Sequence, residues 1–140
     1  MTFAGATVVK GVFCLETDLT GADFTGASIE RMNLIGARLT GARFVGAKMD
    51  RADLSDASVE RGDFTGASAV GARFRKSRLS GAKLVRVNLM DGTLQKADLT
   101  GADLSHANLF QVEFLRTVVD RATRFDGANI DRTKLKRDRG

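Results

Sequence analysis

Few side chains in this sequence are of types that do chemistry unaided. There is one histidine, His106, and one cysteine, Cys14, in 140 residues. A thiol becomes a nucleophile when a base or a positive environment draws off its proton. Cys14 has no histidine near it in sequence and is expected to pack, and His106 is expected at a solvent-facing corner in a structural role. Carboxylates are more regular. Asp18, Asp23, Asp53, Asp63, Asp98 and Asp103 are separated by multiples of five. They look like carboxylate rows, no Cys/His cluster has zinc spacing, and no cofactor or metal is expected. Two other sets are suited to binding. Arg73, Arg75, Lys76, Arg78, Lys83 and Arg86 form a run without an acid, fit to contact an acidic partner. Val70, Met90 and Phe110 are apolar residues spaced by twenty, where polar ones would be expected.

The element that positions all of them is a five-residue repeat, as in Ala22-Asp23-Phe24-Thr25-Gly26 and Ala102-Asp103-Leu104-Ser105-His106. Each unit has a small residue, a polar residue, a large apolar centre, then two residues that are often hydroxyl, acid or glycine. Centres begin at Phe3, Val8 and Phe13, slip by one residue, and run in steps of five from Leu19 to Val119. A second slip leads to Phe125, Ile130 and Leu135. A period of five fits neither 3.6 nor a heptad, so amphipathic helices are disfavoured. The centre and the residue two before it alternate as in a strand and point the same way. The glycine or polar pair then turns a corner.

This pattern resembles the pentapeptide repeat family, A(D/N)LXX, across nearly the whole chain. The resemblance implies an all-β fold, a right-handed quadrilateral parallel β-helix with four pentads per turn, here about six to seven coils. One domain spanning 1–140 is expected, with 1–18 as an N-terminal coil or cap, 19–119 as uninterrupted repeats and 120–140 as a shifted last coil and tail. In this family the residue before the centre faces outward, which gives the Asp rows ladder and turn roles rather than catalytic ones.

Four pentads per coil stack residues twenty apart. One column becomes Phe24, Phe44, Phe64, Leu84, Leu104 and another Leu19, Leu39, Val59, Leu79, Leu99, Val119. The odd centre is Ala69, which shares a coil with Val59, Phe64 and Phe74. A core of fixed volume explains the small residue, because overpacking typically costs about 1–3 kcal/mol. Outside, charge alternates by coil, so that Asp23, Arg43, Asp63, Lys83 and Asp103 line up and are expected to fix coil register through ion pairs.

The composition bounds the function. Net charge is +5, there is no tryptophan or tyrosine, and a single cysteine forms no internal disulfide. No charged-then-apolar leader opens the chain and no run approaches a membrane span, so a cytoplasmic protein without membrane contact is expected. The reading is a non-catalytic protein-interaction scaffold, not an enzyme. Its contact candidates are Val70, Met90 and Phe110 with Leu115 and Val118 nearby, used for a protein partner or for a homodimer through the C-terminal coils. The alternative the resemblance implies is a DNA mimic that binds gyrase or topoisomerase and protects it from quinolones or toxins. Mimicry needs a sustained negative face, and the net positive charge and alternating bands argue against it. Direct nucleic-acid binding is opposed by the acidic coils beside the basic run.

Overall fold

The computed structural model describes residues 1–7 and 16–134. The expected centres Val8, Phe13 and Leu135, the thiol Cys14 and the charged tail lie outside the described residues.

The five-residue period becomes one side of a coil. Each pentad contributes a single parallel bridge residue, a buried centre and a tight turn. In the first complete unit, Asp18 bridges Arg38, Leu19 points inward, and the Ala22 amide donates to the Leu19 carbonyl at 2.9 Å to close the turn. The second central residue, Gly21, sits at φ 71°. That left-handed geometry is what a type II turn demands, and it explains why glycine recurs at this place. Four such turns bring the chain back over itself. Bridges join residues 20 apart from Asp18↔Arg38 through Asp98↔Val118. At both ends the register widens to 21, at Thr2↔Asp23 and Thr7↔Ser28 and again from Asp103↔Arg124 through Glu113↔Lys134, where the frame slips fall. The result is a quadrilateral parallel β-helix. Its sides are named here by their first regular centres: the Leu19, Phe24, Ile29 and Leu34 sides.

The core is made of centres and small residues alone. Phe3, Phe24, Phe44 and Phe64 stack with centroids 4.9, 5.0 and 4.8 Å apart and nearly parallel planes, one ring per coil. Phe74 then meets Phe64 edge-on at 5.5 Å within one coil. Ala69 lies between them in sequence and is fully buried. Gly62 is a second reduction in the same coil: a Cβ there would lie 2.7 Å from Val59 Cγ1 and 3.3 Å from the Phe64 ring. Gly92 is as tight in a coil of leucine centres, 2.7 Å from Leu89 Cδ1, so the reduction that goes with the two phenylalanines is Ala69, as close packing requires.

Three hydroxyls that replace the inward alanine are satisfied. Ser77 Oγ donates to the Leu54 carbonyl at 2.6 Å, and Thr117 and Thr123 Oγ1 donate to the Leu94 and Leu99 carbonyls, each at 2.8 Å. Burial without these bonds would cost about 1–3 kcal/mol per group.

Candidate interaction surfaces

The regular aspartates are occupied by the turns beside them. Asp23 Oδ1 accepts the Thr25 amide at 2.9 Å and the Thr25 hydroxyl at 2.6 Å, and Asp18 and Asp63 do the same with Thr20 and Thr65. Asn33, Asn88 and Asn108 accept the corresponding amide with an amide oxygen. These are Asx turns, in which a side chain two residues back caps an amide that the sheet ladder leaves open. The consequence appears in their acidity. The Thr20 and Thr25 hydrogen bonds, more than the cations Arg38 and Arg43, hold the Asp18 and Asp23 carboxyls below the usual range. Asp103 is lowered first by the Ser105 hydroxyl and only later by Arg124.

This corrects the expected charge ladder. The backbone does place Asp23, Arg43, Asp63, Lys83 and Asp103 one above another. Among the described residues, however, the ion pairs between coils are Arg73–Asp53 at 3.9 Å and Arg124–Asp103 at 4.0 Å, both long. The carboxylates are turned into their own corners and the long cationic side chains extend into water, where such pairs contribute little. Register is set by the inward side chains and the amide ladder.

The apolar candidates divide between surfaces. Val70, Met90 and Phe110 occupy one corner position on the Ile29 side in successive coils, each half-buried. Asp50 completes that column below, accepting the Val70 amide at 3.0 Å. Above, the Arg132 guanidinium sits 6.0 Å from the Phe110 ring centroid, within cation–π range. Leu115 lies on the Leu34 side, half-buried, and Val118 on the Leu19 side, 52% exposed. The basic run is likewise spread: Arg73, Arg75 and Lys76 on the Leu34 side, Arg78 on the Leu19 side, Lys83 and Arg86 on the Phe24 side. It is a girdle around three sides, which no single flat partner covers. His106 is exposed at a corner with φ 60°, and Gly127 of the next coil passes over its ring.

The exposed large hydrophobic side chains among the described residues are Met1 and three in the last coils, Val118, Val119 and Ile130. Val119 and Ile130 are centres, yet they are 50% and 56% exposed, against 0% for Leu99 and Leu109 one coil earlier. The expected Leu99–Val119 core column therefore ends at a half-open position, because the described coils stop there. Phe114, Thr117, Val119, Phe125, Ile130 and Thr133 line a cavity of about 340 Å³ at this end. Asp120 supplies the extra residue of the slip. Its Oδ1 accepts the Gly101 amide at 3.0 Å, a bond that a backbone carbonyl takes in the regular coils, and the Ala122 and Thr123 amides as well. Those bonds, the Gly101 one foremost, hold its carboxyl below the usual range.

The sequence profile of the family described as Pentapeptide repeats matches residues 17–56, 60–95 and 89–123, in eight copies. The chain is a pentapeptide repeat protein. Solved structures agree in fold. Rfr23 of the cyanobacterium Cyanothece 51142 is 19% identical, with a TM-score of 0.73 over 81% of this chain and 91% of its own. HetL of Nostoc sp. strain PCC 7120, involved in heterocyst differentiation regulation, is 27% identical, with a TM-score of 0.57 over 95% of this chain and 65% of its own. A pentapeptide repeat protein from the Arabidopsis thaliana thylakoid lumen is 29% identical, with a TM-score of 0.58 over 69% of this chain and 70% of its own. No curated protein matches the sequence. The family's helix is right-handed, and so is this one.

As a pentapeptide repeat protein it has no predominantly acidic side among the described residues. The Leu19 side carries Asp18, Glu60, Asp98 and Asp120 against Arg38, Arg61, Arg78 and Arg121, and the Phe24 and Ile29 sides balance in the same way. The Leu34 side is net basic. The same residues show no group of acids, histidines or cysteines placed to hold a metal ion. Sequence reasoning missed Gly62 and the exposed end. The first was hidden because glycine looks alike in a turn and in a core. The second was signalled by Val119 and Ile130, centres that have no centre twenty residues beyond them within the described coils.

Proposed function

We propose that this pentapeptide repeat protein is a non-catalytic interaction scaffold that works through its C-terminal coils. The observation that carries the reading is the half-open apolar cavity lined by Phe114, Val119, Phe125 and Ile130 in the last described coil, with Val118 exposed beside it. Exposed contiguous apolar surface marks contact sites, and the unpaired amides and carbonyls of a last coil favour an occupant that continues it. A second copy of the chain, joined end to end, is the partner that meets both needs. The stripe Val70–Met90–Phe110 approaches this end along the Ile29 side and would enlarge the contact for a protein partner. Support for a non-enzymatic role comes from the aspartates, whose carboxylates serve turns.

A photo-crosslinking residue placed at Val119 tests the reading. It is expected to yield covalent dimer, whereas the same residue at Ser80, midway along the Leu19 side, yields none. Equal crosslinking from both positions would exclude an end-specific contact. Duplex mimicry is opposed by the balance of charge on each side. Gyrase supercoiling with and without quinolone is expected to be unaffected by the protein.

A further inference from the structure

One corner departs from the alternation of charge. Between the Leu34 and Leu19 sides the second turn residue of successive coils reads Glu16, Gly36, Asp56, Lys76, Lys96, Arg116. The stacking is fixed by amide bonds between coils, Lys76 to the Gln95 carbonyl and Lys96 to the Leu115 carbonyl, each at 2.8 Å. Three cations therefore follow one another at the coil spacing of about 4.8 Å. Like charges so placed repel. Elsewhere the fold offsets such stacking: Arg31 above Arg51 runs beside Glu30 above Asp50. Beside the three cations stand Arg75, Gln95 and Leu115, none of them acidic. The nearest acids are Asp56, one coil below Lys76 in the same column, Asp98 on one flank, whose carboxylate accepts the Thr100 amide and hydroxyl, and Glu113 at the far end. Among the described residues no ion pair forms to Lys76 or Lys96.

We propose that this corner, from Arg75 and Lys76 to Arg116, is a docking stripe for an extended acidic segment of a partner protein. The inference rests on the scaffold reading and names the chemistry of one partner. Two coil rises give a length of about 10 Å, the reach of roughly three residues of extended chain. Flexible lysine stems adjust to carboxylates on alternate residues of such a segment. Gln95 offers an amide to its backbone, and Leu115 an apolar contact at one end. A nucleic-acid duplex fits less well, because the stripe is one corner wide and Asp98 and Glu113 would face phosphates on either flank.

Fluorescence anisotropy of a labelled hexaglutamate peptide on the full chain tests this. The K76E/K96E variant is expected to weaken binding at least about tenfold at low salt, and K76Q/K96Q by a smaller factor. R61E/R86E is the control. It makes the same change in net charge at two other corners, where the coil neighbours are Gly41, Gly81, Gly66 and His106, and should weaken binding less than about threefold. Thermal melts confirm that each variant folds, and K76Q/K96Q carries the test if K76E/K96E does not. Equal losses in K76Q/K96Q and a matching R61Q/R86Q would overturn the stripe, as would absence of peptide binding. Tighter binding of a 20-base-pair duplex with the same sensitivity would assign the corner to nucleic acid instead. None of these results alters the Val119 crosslink, so failure of the stripe and failure of the scaffold reading are separable.

Discussion

The middle coils and the last coil are written in the same code and behave differently. Leu99 and Val119 occupy the same column, as do Leu109 and Ile130, yet the first of each pair is sealed and the second is half open. The Ile130 unit keeps the pentad pattern of the Leu109 unit, whereas the Val119 unit departs from that of Leu99 at Thr117, Val118 and Asp120, and both centres are half open. What differs is whether a further coil lies above. In a solenoid each coil contacts only its neighbours, so burial belongs to the stack, and among the described residues the centres of the last coil are left half open. The proposed partner contact lies there.

The contrast can be broken or sharpened by substitution. The largest effect is expected at Phe64, stacked on Phe44 and edge-on to Phe74. Phe64→Ala should cost about 3–5 kcal/mol in chemical denaturation. Ala69→Leu, in the same coil, should cost about 1–3 kcal/mol by overpacking, while Leu89→Ile stays below about 1.5. An unchanged melt for Ala69→Leu would show that the coil does not hold a fixed volume. Asp120→Ala removes the acceptor for Gly101, Ala122 and Thr123 at the slip and should cost about 1–2 kcal/mol. Val119→Ala, at the half-open end, should change monomer stability by less than about 1 kcal/mol. A loss there as large as at Phe64 would erase the distinction between the two regions.

Acid provides a milder probe. Asp18, Asp23, Asp103 and Asp120 all have carboxyls lowered on folding, chiefly by hydrogen bonds from turn amides and hydroxyls. Groups of this sign contribute stability above their unfolded value, near pH 4, and lose it as pH falls through the lower folded value. Melting temperature should therefore decline below about pH 4. High salt should change that decline little, because hydrogen bonds rather than ion pairs cause the shifts.

Much of the fold is legible in the residues because the inward code is one of volume repeated at a fixed interval. The spacing of Phe24, Phe44 and Phe64 gives the stacking, and Ala69 marks the coil in which Phe74 adds a second ring. The outward code is less legible. Asp23 and Arg43 read as an ion pair by spacing, but a carboxylate also reaches the amide two residues on, and that local bond wins. The girdle from Arg73 to Arg86 is continuous in sequence and divided among three sides in space, whereas Lys76, Lys96 and Arg116 are distant in sequence and adjacent in space. A linear scan of charge sees the first and overlooks the second.

The central proposal is that the contacts of the protein are made at the half-open apolar centres of the last described coil. Light scattering across a concentration series tests it most directly, comparing the wild type with Ile130→Glu. The wild type should approach twice the chain mass of 15.0 kDa, and Ile130→Glu should remain at 15.0 kDa with an unchanged melt. A wild-type protein that stays monomeric at the highest concentration, or a folded Ile130→Glu that still doubles, would contradict the account.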